Sequence, residues 1–266
     1  MNTYGTSERE RGRLNIANVN VDPISVNEAA KIVFALVMKI REQNCEIAPV
    51  MVCTPNSEIM MDAQTDAEFM KILNESALVI PDGAGVVLAA RLLGFGKIVR
   101  ATGFDLTRLM LTDPVEYPLS FYLFGAKAGV AEKAASNILA VSPETRIVGC
   151  HDGYFSDAEE PEIIKKINAS GADVLFIALG APKAEKWAYR NREKLRIPVC
   201  IGVGGTIDIL AGEAKLTPPF FRSHGLEWLY RLACEPWRAK RMIKLPMFIL
   251  HIIRWRLSGR PPRESP

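Results

Sequence analysis

Two periodicities alternate along the chain. Short apolar runs rich in β-branched and aromatic residues begin near residues 14, 48, 77, 119, 146, 173 and 199. They read L-N-I-A-N-V-N-V-D, A-P-V-M-V-C-T, A-L-V-I-P-D, L-S-F-Y-L-F-G, R-I-V-G-C-H, D-V-L-F-I-A-L-G and V-C-I-G-V-G-G. Between them lie stretches whose apolar residues recur at helical spacing, such as S-V-N-E-A-A-K-I-V-F-A-L-V-M-K-I from Ser25. Ser25 with Glu28 three residues on forms a capping-box pattern, and Gly94 closes the helix G-V-V-L-A-A-R-L-L-G. The first run predicts an edge strand or hairpin. The other six are short and nearly unbroken by polar residues, as strands covered on both faces are. The expected fold is therefore α/β and Rossmann-like: an about six-stranded, mainly parallel sheet with helices on both faces.

The pattern changes after residue 210. Residues 211–266 read as a basic, helical C-terminal appendage interleaved with Trp, Phe and Leu, and Pro236 and Pro246 are expected to break it. Residues 14–210 are expected to form the catalytic body, and residues 1–13, polar throughout, to be disordered. No run reaches the roughly 18 apolar residues of a spanning helix.

Charge sharpens the division. Net charge is +3, yet residues 222–266 carry ten Lys/Arg against three acids, which leaves the rest of the chain at −4. A basic, apolar tail on a mildly acidic body predicts contact with an anionic membrane surface or with phosphates. Nucleic acid is the weaker partner, because the tail's apolar content suits lipid. Packing of the same surface on the body or on a second copy of the chain is the alternative. Five scattered cysteines without a CxxC, and a polar N-terminus lacking an apolar leader region, read as a reducing, cytoplasmic setting.

In open α/β sheets, ligands bind beyond the carboxyl ends of the strands. The segments there are T-P-N at 54–56, P-D-G at 81–83, F-D at 104–105, G-A-K at 125–127, H-D-G-Y at 151–154, G-A-P-K at 180–183 and G-V-G-G-T-I-D at 202–208. Gly-rich loops of this kind let backbone N–H groups approach phosphate. Several chemistries lack support. Walker A, H-E-x-x-H, D-x-D and G-x-S-x-G are all missing, and Ile207 stands where a dinucleotide loop needs its third glycine. Asp82 is the acid/base candidate, with an Asx-turn or helix cap as the alternative role. Asn56 or Ser57 can cap the following helix, contact a ligand, or do both. Arg100 can pair with phosphate or lie solvated at the surface. Asp152 reads as a turn former rather than a partner of His151.

The ordered segments T-P-N-S-E, V-I-P-D-G-A-G-V-V, R-A-T-G-F-D-L, L-F-G-A, H-D-G-Y-F, D-V-L-F-I-A-L-G-A-P-K, G-V-G-G-T-I-D-I-L-A-G and G-L-E-W-L-Y-R-L-x-x-E-P-x-R resemble the WecG/TagA/CpsF glycosyltransferases, family 26, over about residues 14–245. The resemblance implies an inverting, metal-independent transferase that needs no cofactor. It would move an N-acetylmannosamine-type sugar from a UDP donor to polyprenyl-diphosphate-linked N-acetylglucosamine, in teichoic acid or other surface-polysaccharide synthesis. That places the protein peripherally on the inner face of the plasma membrane. The resemblance makes Asp82 the general base and Thr54 and Asn56 its active-site neighbours. Arg100 becomes a pocket residue. Tyr154, Gly204, Gly205 and Asp208 fall in loops that receive uridine diphosphate, and Arg222, Arg231 and Arg238 are arginines supplied by the appendage. One departure stands out: the family's G-x-P-K-Q-E reads G-A-P-K-A-E here, with Ala184 in place of a pocket glutamine. A weakened or non-catalytic UDP-sugar-binding protein is thus the second expectation, and an NAD enzyme the third.

Overall fold

The computed structural model describes residues 12–43, 48–234 and 242–258. Most of the N-terminal segment expected to be disordered, together with Cys45, Pro236 and Arg238, lies outside the described residues. The chain divides into two compact units, one of residues 1–25, 54–102 and 216–266, the other of residues 26–53 and 103–215.

The first unit begins with the expected hairpin. Strands β1 (Leu14–Ile16) and β2 (Val19–Val21) pair antiparallel, with Leu14 opposite Val21 and Ile16 opposite Val19. Their two-residue turn, Ala17-Asn18, has φ of 50° and 65°, the left-handed pair that suits the strand twist. Helix α2 (Ser57–Thr65) is capped by Asn56, whose side chain accepts the Ile59 N–H at 3.0 Å. Asp66 does the same for α3 (Ala67–Glu75) through Phe69. Strand β4 (Leu78–Val79) is only two residues long and leads through buried Pro81 into α4 (Ala84–Leu92). Asp22, fully buried, clamps it: Oδ2 accepts the Val79 N–H at 2.7 Å, and Oδ1 pairs with Arg13 at 3.0 Å.

The unit is completed by the last three of the four described elements that follow residue 205. These are α9 (Thr206–Leu210), which belongs to the second unit, and α10 (Pro219–Ser223), α11 (Glu227–Cys234) and α12 (Lys244–Leu257). Helix α12 packs on α2 and α4 through buried Phe248, Ile252 and Trp255. Pro246 does not break this segment. It sits in the first turn of α12, where its missing N–H would have had no helical partner.

In the second unit, strands β3 (Val50–Cys53), β5 (Ser120–Gly125), β6 (Arg146–His151), β7 (Val174–Ala178) and β8 (Val199–Gly202) run parallel in the order β3-β8-β7-β5-β6. With β4 of the first unit, they supply the six strands expected of the α/β core. Residues alternate in facing. Met51, Tyr122, Phe124, Leu175, Ile177 and Cys200 join one cluster with α7 (Glu160–Ala169) and α8 (Lys183–Asn191), centred on Trp187. Their neighbours along the strands face the other way, among them Phe121 and Phe176, stacked with centroids 5.4 Å apart. Other helices of the unit are α1 (Val26–Gln43), α5 (Gly103–Thr112) and α6 (Val130–Val141), with α1 against β8 and α6 against β5 and β6. Asp173 anchors β5 to β7: it accepts the Ser120 N–H at 2.7 Å and its hydroxyl at 2.8 Å, and pairs with Arg41 at 2.6 Å. Cys53 and Cys200 are buried thiols outside any disulfide, as small hydrophobes in strands are.

Candidate active site

The first unit gathers three of the sequence motifs. The Asp82 N–H donates to the Pro55 carbonyl at 3.2 Å, which ties P-D-G to T-P-N. The Ala101 N–H donates to the Pro81 carbonyl at 3.1 Å, which ties R-A-T-G to the same turn. Gly83 has φ of 87° and ψ of 156°, a conformation that a side chain would strain, and it precedes α4 directly. Proline and glycine thus flank Asp82 for separate reasons. Pro81 ends the strand, and Gly83 supplies the left-handed turn that starts the helix. Asp82 and Thr54 are half-buried. Asn56 lies against Gly83, its Cβ 3.7 Å from where a Cβ on that glycine would stand. Asn56 is also the α2 cap, so the capping role weighed from sequence is real. It engages the Oδ1 acceptor through Ile59.

Arg100 and the appendage meet in this unit. The Arg100 guanidinium donates to the Arg222 carbonyl at 3.1 Å and pairs with Glu227 at 2.8 Å. The Arg222 side chain lies 3.8 Å from the same Glu227 oxygen. Two cations therefore share one carboxylate, and all three side chains are between a fifth and a quarter exposed. Arg231 lies in α11, and Arg238 is outside the described residues.

The other candidates belong to the second unit, at the carboxyl ends of its parallel strands. Tyr154 follows β6 and is 75% exposed. Its N–H donates to Asp152 Oδ1 at 2.9 Å, the turn expected of Asp152. Gly204 and Gly205 follow β8 and are exposed, and Asp208 lies half-buried in α9. The loops there are knitted by backbone bonds: Gly153 N–H to Ala126 carbonyl at 2.9 Å, Ala126 N–H to Ala178 carbonyl at 3.1 Å, Val203 N–H to Ile177 carbonyl at 3.0 Å. Ala184 is buried in the cluster around Trp187, where an apolar side chain fits. Among the described residues, no three His, Cys, Asp or Glu side chains converge in a way that could hold a metal ion.

Two acids went unremarked in the sequence although both lie inside quoted motifs. Glu227 is the E of G-L-E-W. Glu185 is the E of G-A-P-K-A-E, is 5% exposed, and has no hydrogen-bond partner for Oε2 among the described residues. Burial pushes its carboxyl up to about 7, while the Glu185 backbone N–H pulls it the other way.

Comparison with known proteins gives this arrangement its context. The model of the glycosyl transferase WecG/TagA/CpsF family matches residues 14–262. A Bacillus subtilis (strain 168) protein named N-acetylglucosaminyldiphosphoundecaprenol N-acetyl-beta-D-mannosaminyltransferase is 33% identical over 204 residues, 77% of this chain and 79% of that one. A protein of the same name from Bacillus spizizenii (strain ATCC 23059 / NRRL B-14472 / W23) is 31% identical over 211 residues, 79% of this chain and 81% of that one. With its ordered motifs carried on a parallel α/β scaffold and a family match from the first hairpin to beyond α12, the chain belongs to the WecG/TagA/CpsF family of glycosyltransferases.

Proposed function

We propose that the protein transfers an N-acetylmannosamine-type sugar from a UDP donor to polyprenyl-diphosphate-linked N-acetylglucosamine, with inversion, in the synthesis of teichoic acid or another surface polysaccharide. The names of the two Bacillus relatives support the sugar and the acceptor, and their β-linked product is what a single displacement on an α-linked donor gives. The observation that carries the reading is the pair of backbone bonds holding the Pro81–Asp82 turn, Asp82 N–H to the Pro55 carbonyl and Ala101 N–H to the Pro81 carbonyl. They fix a half-exposed carboxylate in a unit that also holds Thr54, Asn56, Arg100 and Arg222.

In this reading the Asp82 carboxylate takes the proton from the acceptor hydroxyl as its oxygen bonds to the anomeric carbon. The bond from that carbon to the diphosphate breaks, and UDP leaves with the electron pair. Thr54 and Asn56 orient sugar hydroxyls. Arg100, Arg222, Arg231 and Arg238 offset the charge that grows on the diphosphate, a role that suits the guanidinium fork and needs no resident metal. Tyr154 offers an exposed ring to the base, and the Gly204–Gly205 turn and Asp208 receive the ribose and phosphates.

The acceptor's lipid calls for a membrane surface, and α12 has one face suited to it. Phe248, Ile252 and Trp255 pack inward, whereas Met247, Leu250, Ile253 and Leu257 are 41–80% exposed, with Arg254 and Arg256 beside them. No described helix is long and apolar enough to cross a membrane. At fourteen residues, α12 is about 21 Å long against roughly 30 Å of hydrocarbon. We assign it an interfacial role that holds the enzyme peripherally on the inner leaflet.

The test is transfer from UDP-N-acetylmannosamine to a short-chain lipid-diphosphate N-acetylglucosamine, followed by product stereochemistry. A β-linked disaccharide is expected. UDP binding without transfer would favour instead a binding protein, the reading that Ala184 motivates. Binding of NAD in place of UDP would reject both.

A further inference from the structure

Glu185 is a buried carboxyl that the proposed displacement does not use. It lies in the first turn of α8, which packs against β3 and β8. Its Oε1 occupies the space above Gly202, the last residue of β8: a Cβ built on that glycine would stand 2.7 Å from it. A side chain at Gly202 would force the acid to shift. Among the described residues, Oε2 has no partner. A buried carboxyl oxygen without a partner calls for an explanation, of which a role in function is one.

The charges around it are few. On α8, Lys183 and Arg190 are exposed and Lys186 is half-buried. Among the described residues, β3 and β8 offer only the thiols of Cys53 and Cys200, and burial pushes the latter up to about 12. Beyond β8 the next charged group along the chain is Asp208. None of these figures among the causes that perturb Glu185; burial raises it and its own N–H opposes. What can change its ionisation is therefore a charge brought in from outside.

We propose that Glu185 is a positioning residue of the donor site, a neutral acid against Gly202, where the Gly202–Gly205 loop begins, whose protonation is coupled to occupation of that loop by a nucleoside diphosphate. The inference rests on the reading that this loop receives the donor's phosphates. An arriving diphosphate penalises a carboxylate near it and favours the neutral acid. By linkage, the neutral acid favours the diphosphate to the same extent. The spare O–H of the neutral form also gives the loop a donor where a carboxylate would present only acceptors.

With a carboxyl near 7 in the free protein and neutral in the complex, affinity for UDP weakens about fivefold from pH 7 to pH 8 and about tenfold from pH 8 to pH 9. At pH 8, binding takes up about nine-tenths of a proton. The experiment is calorimetric titration of the full chain with UDP at pH 8, in two buffers of different ionisation enthalpy, for wild type and Glu185→Gln. Proton uptake by the wild type that the variant lacks, with the variant still binding UDP, is the expected result. Any proton taken up by UDP itself is common to both proteins and cancels in the difference. Equal proton stoichiometry in the two would overturn the role of Glu185 while leaving the donor reading intact. Failure of the wild type to bind UDP would overturn both together. If Glu185→Gln does not fold, the wild-type pH series decides alone, because an affinity flat from pH 7 to pH 9 excludes the coupling. A merely structural Glu185 would alter stability and leave proton uptake unmoved.

Discussion

Replacing Asp22 by alanine removes one carboxylate and disturbs two distant segments. Oδ2 accepts the Val79 N–H at 2.7 Å and Oδ1 holds Arg13 at 3.0 Å, while the Asp22 N–H donates to the Val79 carbonyl at 2.7 Å. The carboxylate has no exposed surface, and the Arg13 side chain is 18% exposed. Alanine leaves the Val79 N–H without its acceptor, at a cost of about 1–3 kcal/mol. Breaking a buried pair and stranding its cation costs about 3–5 kcal/mol. These overlap, because one group serves both. Arg13 also keeps the Ser76 and Ala77 carbonyls, at 3.1 and 2.8 Å. The expected loss is therefore about 3 kcal/mol, at the lower end of the buried-pair range. Asparagine keeps one acceptor of the two and should lose about 1–2 kcal/mol. Urea unfolding of the full chain, followed by circular dichroism, measures both. A function test belongs beside it: β4 runs straight into Pro81 and Asp82, so turnover should fall in Asp22→Asn even where the protein is fully folded. An alanine variant within about 0.5 kcal/mol of wild type, at unchanged m-value, would refute the clamp.

Asp82→Asn should keep UDP affinity within about twofold and lose turnover by about 10²–10⁴, as removal of a general base does; near-normal transfer would remove Asp82 from that role. Leu250→Glu with Ile253→Glu should leave the fold intact, since both side chains face solvent, and should abolish cosedimentation with vesicles containing anionic lipid. Unchanged sedimentation would reject α12 as the docking face. Stability should also carry the mark of Glu185. Its carboxyl is raised in the folded state, so its contribution is complete below the unfolded value near 4.5 and fades as pH rises to about 7. Wild type should lose up to about 3 kcal/mol over that window relative to Glu185→Gln, and parallel stability–pH curves would contradict the burial that causes the shift.

The hairpin, the parallel strands and their helices were legible because each is encoded locally, by period, caps and turn residues. Asn56 caps as a short polar residue before a helix does, and β5 and β8 end at Gly125 and Gly202, where the glycines of their loops begin. The misjudged position was local too. Pro246 looks like a breaker in sequence, but a proline is harmless in a first turn, and sequence alone did not show that α12 starts at Lys244. What could not be read depends on distance along the chain. Arg100 and Arg222 stand 122 residues apart and meet only through folding. Glu185 sits among Lys183, Lys186 and Arg190, so its neighbours in sequence suggest a solvated face. Its burial follows from the rotation of α8, which turns Ala184, Trp187 and Ala188 toward the strands and carries Glu185 with them.

The two compact units are interleaved along the chain, and this sets an order of manufacture. Residues 26–53 and 103–215 are all synthesised before the first unit can be finished, because that unit draws on 1–25, 54–102 and 216–266. The sheet carrying Tyr154 and the Gly204–Gly205 turn can thus be complete on the ribosome while Asp82, Arg100 and their supports still lack α10, α11 and α12. During synthesis a nascent chain that already has its candidate nucleotide loops would have an immature candidate acid/base centre. That centre would be completed only once the helix assigned to the membrane has emerged.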